Sequence, residues 1–422
     1  MPSTSRKPAD PGTPGRAGYR AVFAVREFRA VFAAHVLSLL GTVVAQLALS
    51  VLVFRETGST LLTALAFALG LLPYAVGGAV LAPLADRFPA RRTLVVCDLF
   101  SAGCVAAMVL PGLPPAALLA LRAAAAFVAP LFTGVRAASL GEILHGDAFV
   151  LGRSLIRIVA QAAQIAGFAA GGLLLAVVAP RTALLLTAAG FLLSAVILRL
   201  GTRERGPLAR ERTAGGTRVL LADRRVRALL ALCWVPAAFM VVPEALAAPY
   251  AEHIGAGAVG TGLLLAALPV GAVAAEVAAG GLLGPAARER LVLPLAVLVP
   301  LPLLVYALRP GLLPALAALF LAGLGAAYTL GLDRWYLDAV PRELRGRAMT
   351  VLSAGLMSVQ GLGMAAGGLV AEFVPPHRVV AGAGALGAVC VLLVVRAVRR
   401  HPVPEPVPLP GSVRGDRGPE RS

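Results

Sequence analysis

Asparagine is missing from all 422 residues, lysine occurs once, at Lys7, and glutamine four times, at Gln46, Gln161, Gln164 and Gln360. Charged residues make up 14% and aromatic residues 5%. A soluble globular chain carries about 25% charged residues, so this deficit argues against a soluble enzyme. Cys97, Cys104, Cys233 and Cys390 all lie inside apolar runs without metal-ligand spacing. They read as small core hydrophobes, which excludes a disulfide framework and a metal centre. No phosphate-cradling G-x-x-x-x-G-K-[ST] loop occurs, so an ion gradient is the expected energy source and no cofactor is implied.

Apolar residue is what the chain has in excess, at 59%. That comes to roughly 249 positions, and twelve membrane helices of about 20 residues need ~240. Long apolar runs fall near residues 30–54, 60–84, 93–111, 114–134, 157–179 and 182–200. A second set falls near 228–250, 257–280, 291–308, 311–332, 349–371 and 379–395. The expected fold is an all-α integral membrane protein with twelve transmembrane helices in two pseudo-symmetric six-helix bundles. Its divisions are an N-terminal tail (1–28), a first bundle (29–200), a linker (201–227), a second bundle (228–397) and a Pro-rich tail (398–422). Residues 1–28 show no signal-peptide pattern, so the first run itself is expected to direct insertion.

The net charge of +17 raises the question of nucleic acid. Basic residues sit in short gaps between apolar runs, not on a patch interleaved with aromatics, so no nucleic-acid partner is expected. Of the 38 basic residues, 33 fall on one side of the alternating runs. This asymmetry predicts that both termini and the central linker are cytoplasmic. The halves also echo each other. After the fourth run, Gly152-Arg153-Ser154 opens the next helix, and after the tenth, Gly346-Arg347-Ala348 does the same. Six-span halves related in this way suggest a secondary transporter with its site between them.

Between the second and third runs the chain reads APLADRFPARR, residues 82–92. This resembles the loop 2–3 signature of the major facilitator superfamily, with Ala82 and Pro89 where glycines are usual. The resemblance implies a conformational switch formed by Asp86, Arg87, Arg91 and Arg92. Asp86 at a helix C-terminus opposes the helix dipole, so it needs neighbouring arginines or another helix's N-terminus. In the family that partner is the eleventh helix, which starts here near Ala348. Leu118 and Arg122 match the Leu-x-x-x-Arg signature of drug–proton antiporters, and Gly167, Gly171 and Gly172 resemble the helix 5 antiporter motif, with Phe168 in place of its proline. Gly41-Thr42, Thr57-Gly58-Ser59 and Leu71-Leu72-Pro73-Tyr74 resemble the enterobactin-exporter-like and macrolide-exporter-like efflux branch.

An ionisable group in hydrocarbon is costly and needs an account. At ~1.5 Å per residue, Arg122 lies ~12 Å, Glu244 ~9 Å and Gln46 ~12 Å below the outer face. They form either a polar cluster on the translocation path, with Glu244 carrying a proton or meeting a substrate cation, or an ion pair that locks the bundles. Asp98 is expected to pair with Arg136 or Arg157, and His35 to be a packed residue. Few hydrogen-bonding side chains argue against a sugar carrier, and a single mid-span cation argues against an organic-anion carrier. The expected function is proton-coupled efflux of a small amphipathic or hydrophobic solute by a monomer in the plasma membrane. The alternative is a membrane sensor or scaffold that keeps the fold without transport.

Overall fold

The computed structural model describes residues 19–81, 84, 87–144, 147–204, 217–341 and 344–400. Hydrocarbon offers no partner to backbone N–H and C=O groups, so each apolar run closes its hydrogen bonds within a helix. The first six crossings are α1 (Arg26–Thr57), α2 (Thr60–Ala68 and Leu72–Val80), α3 (Ala90–Ala107), α4 (Pro115–Ile143), α5 (Asp147–Val177) and α6 (Pro180–Gly201). In the second half, α7 comes in three pieces (Arg224–Met240, Val242–Ala245, Ala247–His253) and is followed by α8 (Gly257–Leu282). Next are α9 (Pro285–Leu298, continued by a 3-10 segment, Leu301–Leu308) and α10 (Leu312–Gly325 and Tyr328–Ala339). The last two are α11 (Arg345–Ala371) and α12 (Pro376–Arg399). Short helices, Tyr19–Ala24 and Thr217–Ala222, precede α1 and α7.

Among the described residues, eleven crossings are long and apolar enough to span a bilayer on composition alone. The other is α3, whose 18 residues include Arg91, Arg92 and Asp98. The broken helices follow their sequence. Pro73, Pro243 and Pro302 each lie in the first turn of a resumed segment, where a missing N–H does no harm.

Two ends depart from the hydropathy reading. α4 continues to Ile143, past residue 134, and α5 begins at Asp147, ten residues ahead of 157. Hydropathy stops at the first charge, but a helix continues while one face still finds apolar cover. Leu140 and Leu144 bury themselves against Val22 and Phe28. Arg136, expected in a loop, is therefore inside the helix and buried.

The two sets of six pack alike. α1 packs on α5 and α6, and α7 on α11 and α12; α2 packs on α4, and α8 on α10. α5 against α8, and α2 against α11, join the sets. Near the face opposite the termini, one apolar cluster runs through both sets, taking in Leu47, Phe67 and Phe168 as well as Val242, Leu264 and Met364. Toward the terminal face it divides. Leu229, Val292 and Tyr336 belong to one core, while Val31, Leu94 and Leu198 belong to another. Residues such as Val177, Leu200 and Leu308 remain exposed on the outside, as a lipid-facing surface requires.

Candidate functional site

A cavity of about 540 Å³ is lined mainly by the first set, with Val241, Glu244, Met357, Gln360 and Met364 from the second, and is roofed by the shared core. Its wall comes from α1 to α6 of the first set and α7 and α11 of the second. Most of the lining is apolar, but Arg122, Glu244 and Gln46 all face it.

Arg122 is the eighth residue of α4, about 10 Å from its start at 1.5 Å per residue. Its guanidinium lies against Gly70, in the turn that breaks α2; a β-carbon on Gly70 would sit 2.2 Å from Nη2. The break thus makes room for the cation. Arg122 Nε is buried without a hydrogen-bond partner. Glu244 sits on the short Val242–Ala245 piece of α7, where the backbone has just been interrupted. No salt bridge joins it to Arg122. The lock between bundles, one of the two readings of this pair, is not made in this conformation.

Nearer the terminal face the polar groups pair with one another, leaving His35 Nε2 and Arg136 Nε buried without a partner. Asp98 of α3 accepts hydrogen bonds from Ser38 of α1 (3.1 Å) and Ser194 of α6 (2.5 Å). Arg136 of α4 donates to His35 Nδ1 on α1 and lies 5.5 Å from the Phe132 ring. Asp98 was expected to pair with an arginine; two hydroxyls hold it instead. Buried polar groups need partners, and short hydroxyls reach where a guanidinium would crowd three packed helices.

The helix 5 glycines divide their work. Gly167 and Gly171 receive Val43 and Leu47 of α1, within their own set. Gly172 meets α8 of the other set: a β-carbon there would lie 2.9 Å from Gly262 Cα and from the Ala258 carbonyl oxygen. α11 repeats this layout. Gly363 and Gly367 pack on Ala238 and Val242 of α7, and Gly368 meets Ala64 of α2. The sequence carries the same repeat, for residues 164–173 read QIAGFAAGGL and residues 360–369 read QGLGMAAGGL, identical at seven of ten positions. A comparison of the chain with itself exposes it, whereas reading for loops does not. The repeats also place Gln164 and Gln360 at equivalent positions, both on the cavity wall. Gln46 and Gln161 line it too, so all four glutamines of the chain face one cavity.

Asp86 of the expected switch loop lies outside the described residues. Arg87 is exposed. Arg91 and Arg92 both pair with Glu204 beyond α6, at 2.6 and 2.5 Å, and so are held within the first set. Ala348, near the start of α11, is buried, and its carbonyl accepts from the Tyr336 hydroxyl at 3.0 Å.

At the closed end, the Glu372 carboxylate after α11 accepts from Ser59 Oγ (2.6 Å), Thr60 Oγ1 (3.2 Å) and the Leu61 N–H (2.7 Å) at the start of α2. These bonds join the two sets. The Ser59 hydroxyl first, then the Leu61 N–H, hold the carboxyl below the ordinary glutamate range.

The model of the Major Facilitator Superfamily matches residues 31–332. No curated protein matches the sequence. Among solved structures, a peptide transporter, POT, in complex with sulfate is similar at TM-score 0.69 and 15% identity, over 91% of this chain and 96% of that one. A nucleoside transporter, NupG, is similar at TM-score 0.65 and 12% identity, over 88% and 99%. A bacterial homologue of the human lysosomal transporter Spinster, inward-facing and unoccupied, is similar at TM-score 0.60 and 16% identity, over 92% and 96%. At these identities the likeness is one of fold.

Proposed function

The chain is a multi-pass membrane transporter of the major facilitator superfamily, and from this premise we propose that it exports small amphipathic or hydrophobic solutes in exchange for protons. The observation that carries the reading is the cavity between the two sets, mostly apolar, with an unpaired carboxylate at Glu244. A carboxylate in such a place alternates between binding a proton and binding a solute cation, which is the exchange that antiport needs. The arginine asymmetry supports a cytoplasmic terminal face in the plasma membrane. The shared core then closes the outer side, and the cavity faces inward. Each chain carries both halves, so a monomer suffices.

The test is flux. Purified protein in proteoliposomes with an imposed pH gradient is expected to drive fluorescent amphipaths uphill, and collapse of the gradient is expected to stop it. No gradient-dependent flux across a broad compound panel would remove the proposal. The second reading, a sensor or scaffold, is motivated by Phe168 standing where the helix 5 motif has proline. Such a protein needs no cavity with unpaired charges, so the cavity favours transport.

A further inference from the structure

Resting on the transport reading, we infer that the solute is amphoteric: its anionic group is taken by Arg122, its cationic group by Glu244, and its neutral middle is held between Gln164 and Gln360. The inference starts from the two charges. Both face one cavity, no salt bridge joins them, and Arg122 Nε is buried without a partner. Nearer the terminal face each charged group has a protein partner, Asp98 in Ser38 and Ser194, and Arg136 in His35, although Arg136 Nε and His35 Nε2 stay buried without one. Asp98 and Arg136 are thus tied to neighbouring helices, whereas no salt bridge ties Arg122 to Glu244 or either of them to another described residue.

A purely cationic amphipath would neutralise Glu244 and leave Arg122 repelling it across a low-dielectric space; a purely anionic one would do the reverse. Only a solute with both signs discharges both walls. The glutamines supply the rest. Gln164 and Gln360 occupy the same position of the ten-residue repeat, one in each set, and each offers a donor and an acceptor without charge. That pair suits an amide or another neutral hydrogen-bonding group between the charged ends.

The probe set is phenylalanyl-leucine as zwitterion, its methyl ester as cation and its N-acetyl derivative as anion, which share nearly the same apolar surface. Binding to the full chain in detergent at pH 7, without a gradient, is read by titration calorimetry. The zwitterion is expected to bind at least tenfold tighter than either singly charged form. Arg122→Gln is expected to weaken the zwitterion and the N-acetyl form at least tenfold and to tighten the ester, which it no longer repels. Glu244→Gln is expected to weaken the zwitterion and the ester and to tighten the N-acetyl form, which it no longer repels. Equal or tighter binding of the ester, or no binding of any of the three at millimolar concentration, overturns the inference. If a variant fails to fold, the selectivity of the unaltered protein decides alone. Because no gradient is used, absent proton-driven flux would not touch this result; uphill flux of a cationic amphipath together with ester preference would sink the amphoteric solute and spare the transporter.

Discussion

Gly172 of α5 and Gly262 of α8 touch backbone to backbone: a β-carbon on Gly262 would lie 2.8 Å from Gly172 Cα and 2.5 Å from the Phe168 carbonyl oxygen. Neither neighbour is a side chain that can swing away, so any added methyl must move a helix. Since α5 and α8 belong to different sets, the movement is an opening of the closed face. Overpacking a tight contact costs about 1–3 kcal/mol, which is enough to shift a two-state balance several-fold or more. Gly172→Ala, and more so Gly262→Val, is expected to raise labelling of a cysteine placed in the roof of the cavity from the face opposite the termini. Unchanged labelling in a folded variant would show that the contact does not gate that face.

The second contact between the sets responds to pH. Glu372 accepts three hydrogen bonds from Ser59, Thr60 and Leu61. Its carboxyl is held below the ordinary value by them. The sign follows from linkage: a depressed carboxyl supports closure above its ordinary value, and the support fades as pH falls through the depressed one. Closure of this face is thus expected to be strong at neutral pH and to weaken only in acid below the ordinary glutamate range. Glu372→Gln is expected to flatten this acid dependence and to make the face more open at pH 7, as read by the same labelling.

The crossings were legible in the sequence because hydrocarbon imposes length and apolarity on each one. The ends of α4 and α5 were not, because a helix with a polar face toward a cavity fails a hydropathy test while keeping its backbone ladder. Arg122, Glu244 and Gln46 could be placed at a shared depth by counting residues. Whether Arg122 and Glu244 pair could not, because that depends on the break in α2 at Gly70 and the break in α7 before Glu244. The hydroxyls that satisfy Asp98 come from residues 60 and 96 positions away, and no local spacing points to Ser38 or Ser194. The α5/α11 repeat was fully written in the sequence. It is a pattern of contacts between bundles, and its meaning emerges only when Gly172 and Gly368 are seen to face opposite sets.

Asp98 offers a test of the scaffold. Asp98→Ala removes the carboxylate that accepts from both hydroxyls, leaving Ser38 to donate to Ser194 (2.9 Å) and Ser194 to the Ala34 carbonyl (3.2 Å). Each lost hydrogen bond to a charged group costs about 1.5–3 kcal/mol, less what the remaining acceptors recover. The variant is expected to melt several degrees lower in detergent, and Asp98→Asn, which keeps one acceptor, to lose less. Equal melting of all three proteins would mean that the triangle contributes nothing to packing.

For the loop, Asp86→Asn is expected to insert normally and to transport poorly, because it removes the charge proposed to hold the end of α2 against the start of α11. Normal flux at normal expression would reduce the Asp-Arg pair to a surface feature. Arg91→Gln is expected to have the milder effect, since Arg92 also pairs with Glu204.

The decisive residue for coupling is Glu244. Its carboxylate faces the cavity from the interrupted part of α7, where a small rotation changes its surroundings more than it would in a continuous helix. Arg122 sits on the other wall, wedged at the α2 break. In this conformation the two are apart. If closing the terminal face brings them together, the arginine drives the proton off the carboxylate, and if reopening separates them, the carboxylate is free for solute again. Glu244→Gln is therefore expected to abolish uphill transport under a pH gradient, while downhill exchange persists at saturating solute. Glu244→Asp is expected to keep partial activity with a shifted pH optimum. The double change Arg122→Ala with Glu244→Gln is expected to be no worse than the more damaging single change, because residues that act as a unit lose their function once. Additive losses in the double variant would assign the two residues to separate steps. Undiminished uphill transport by Glu244→Gln would move the coupling proton elsewhere, and Asp98, the other carboxylate on the cavity wall, would be the next to substitute.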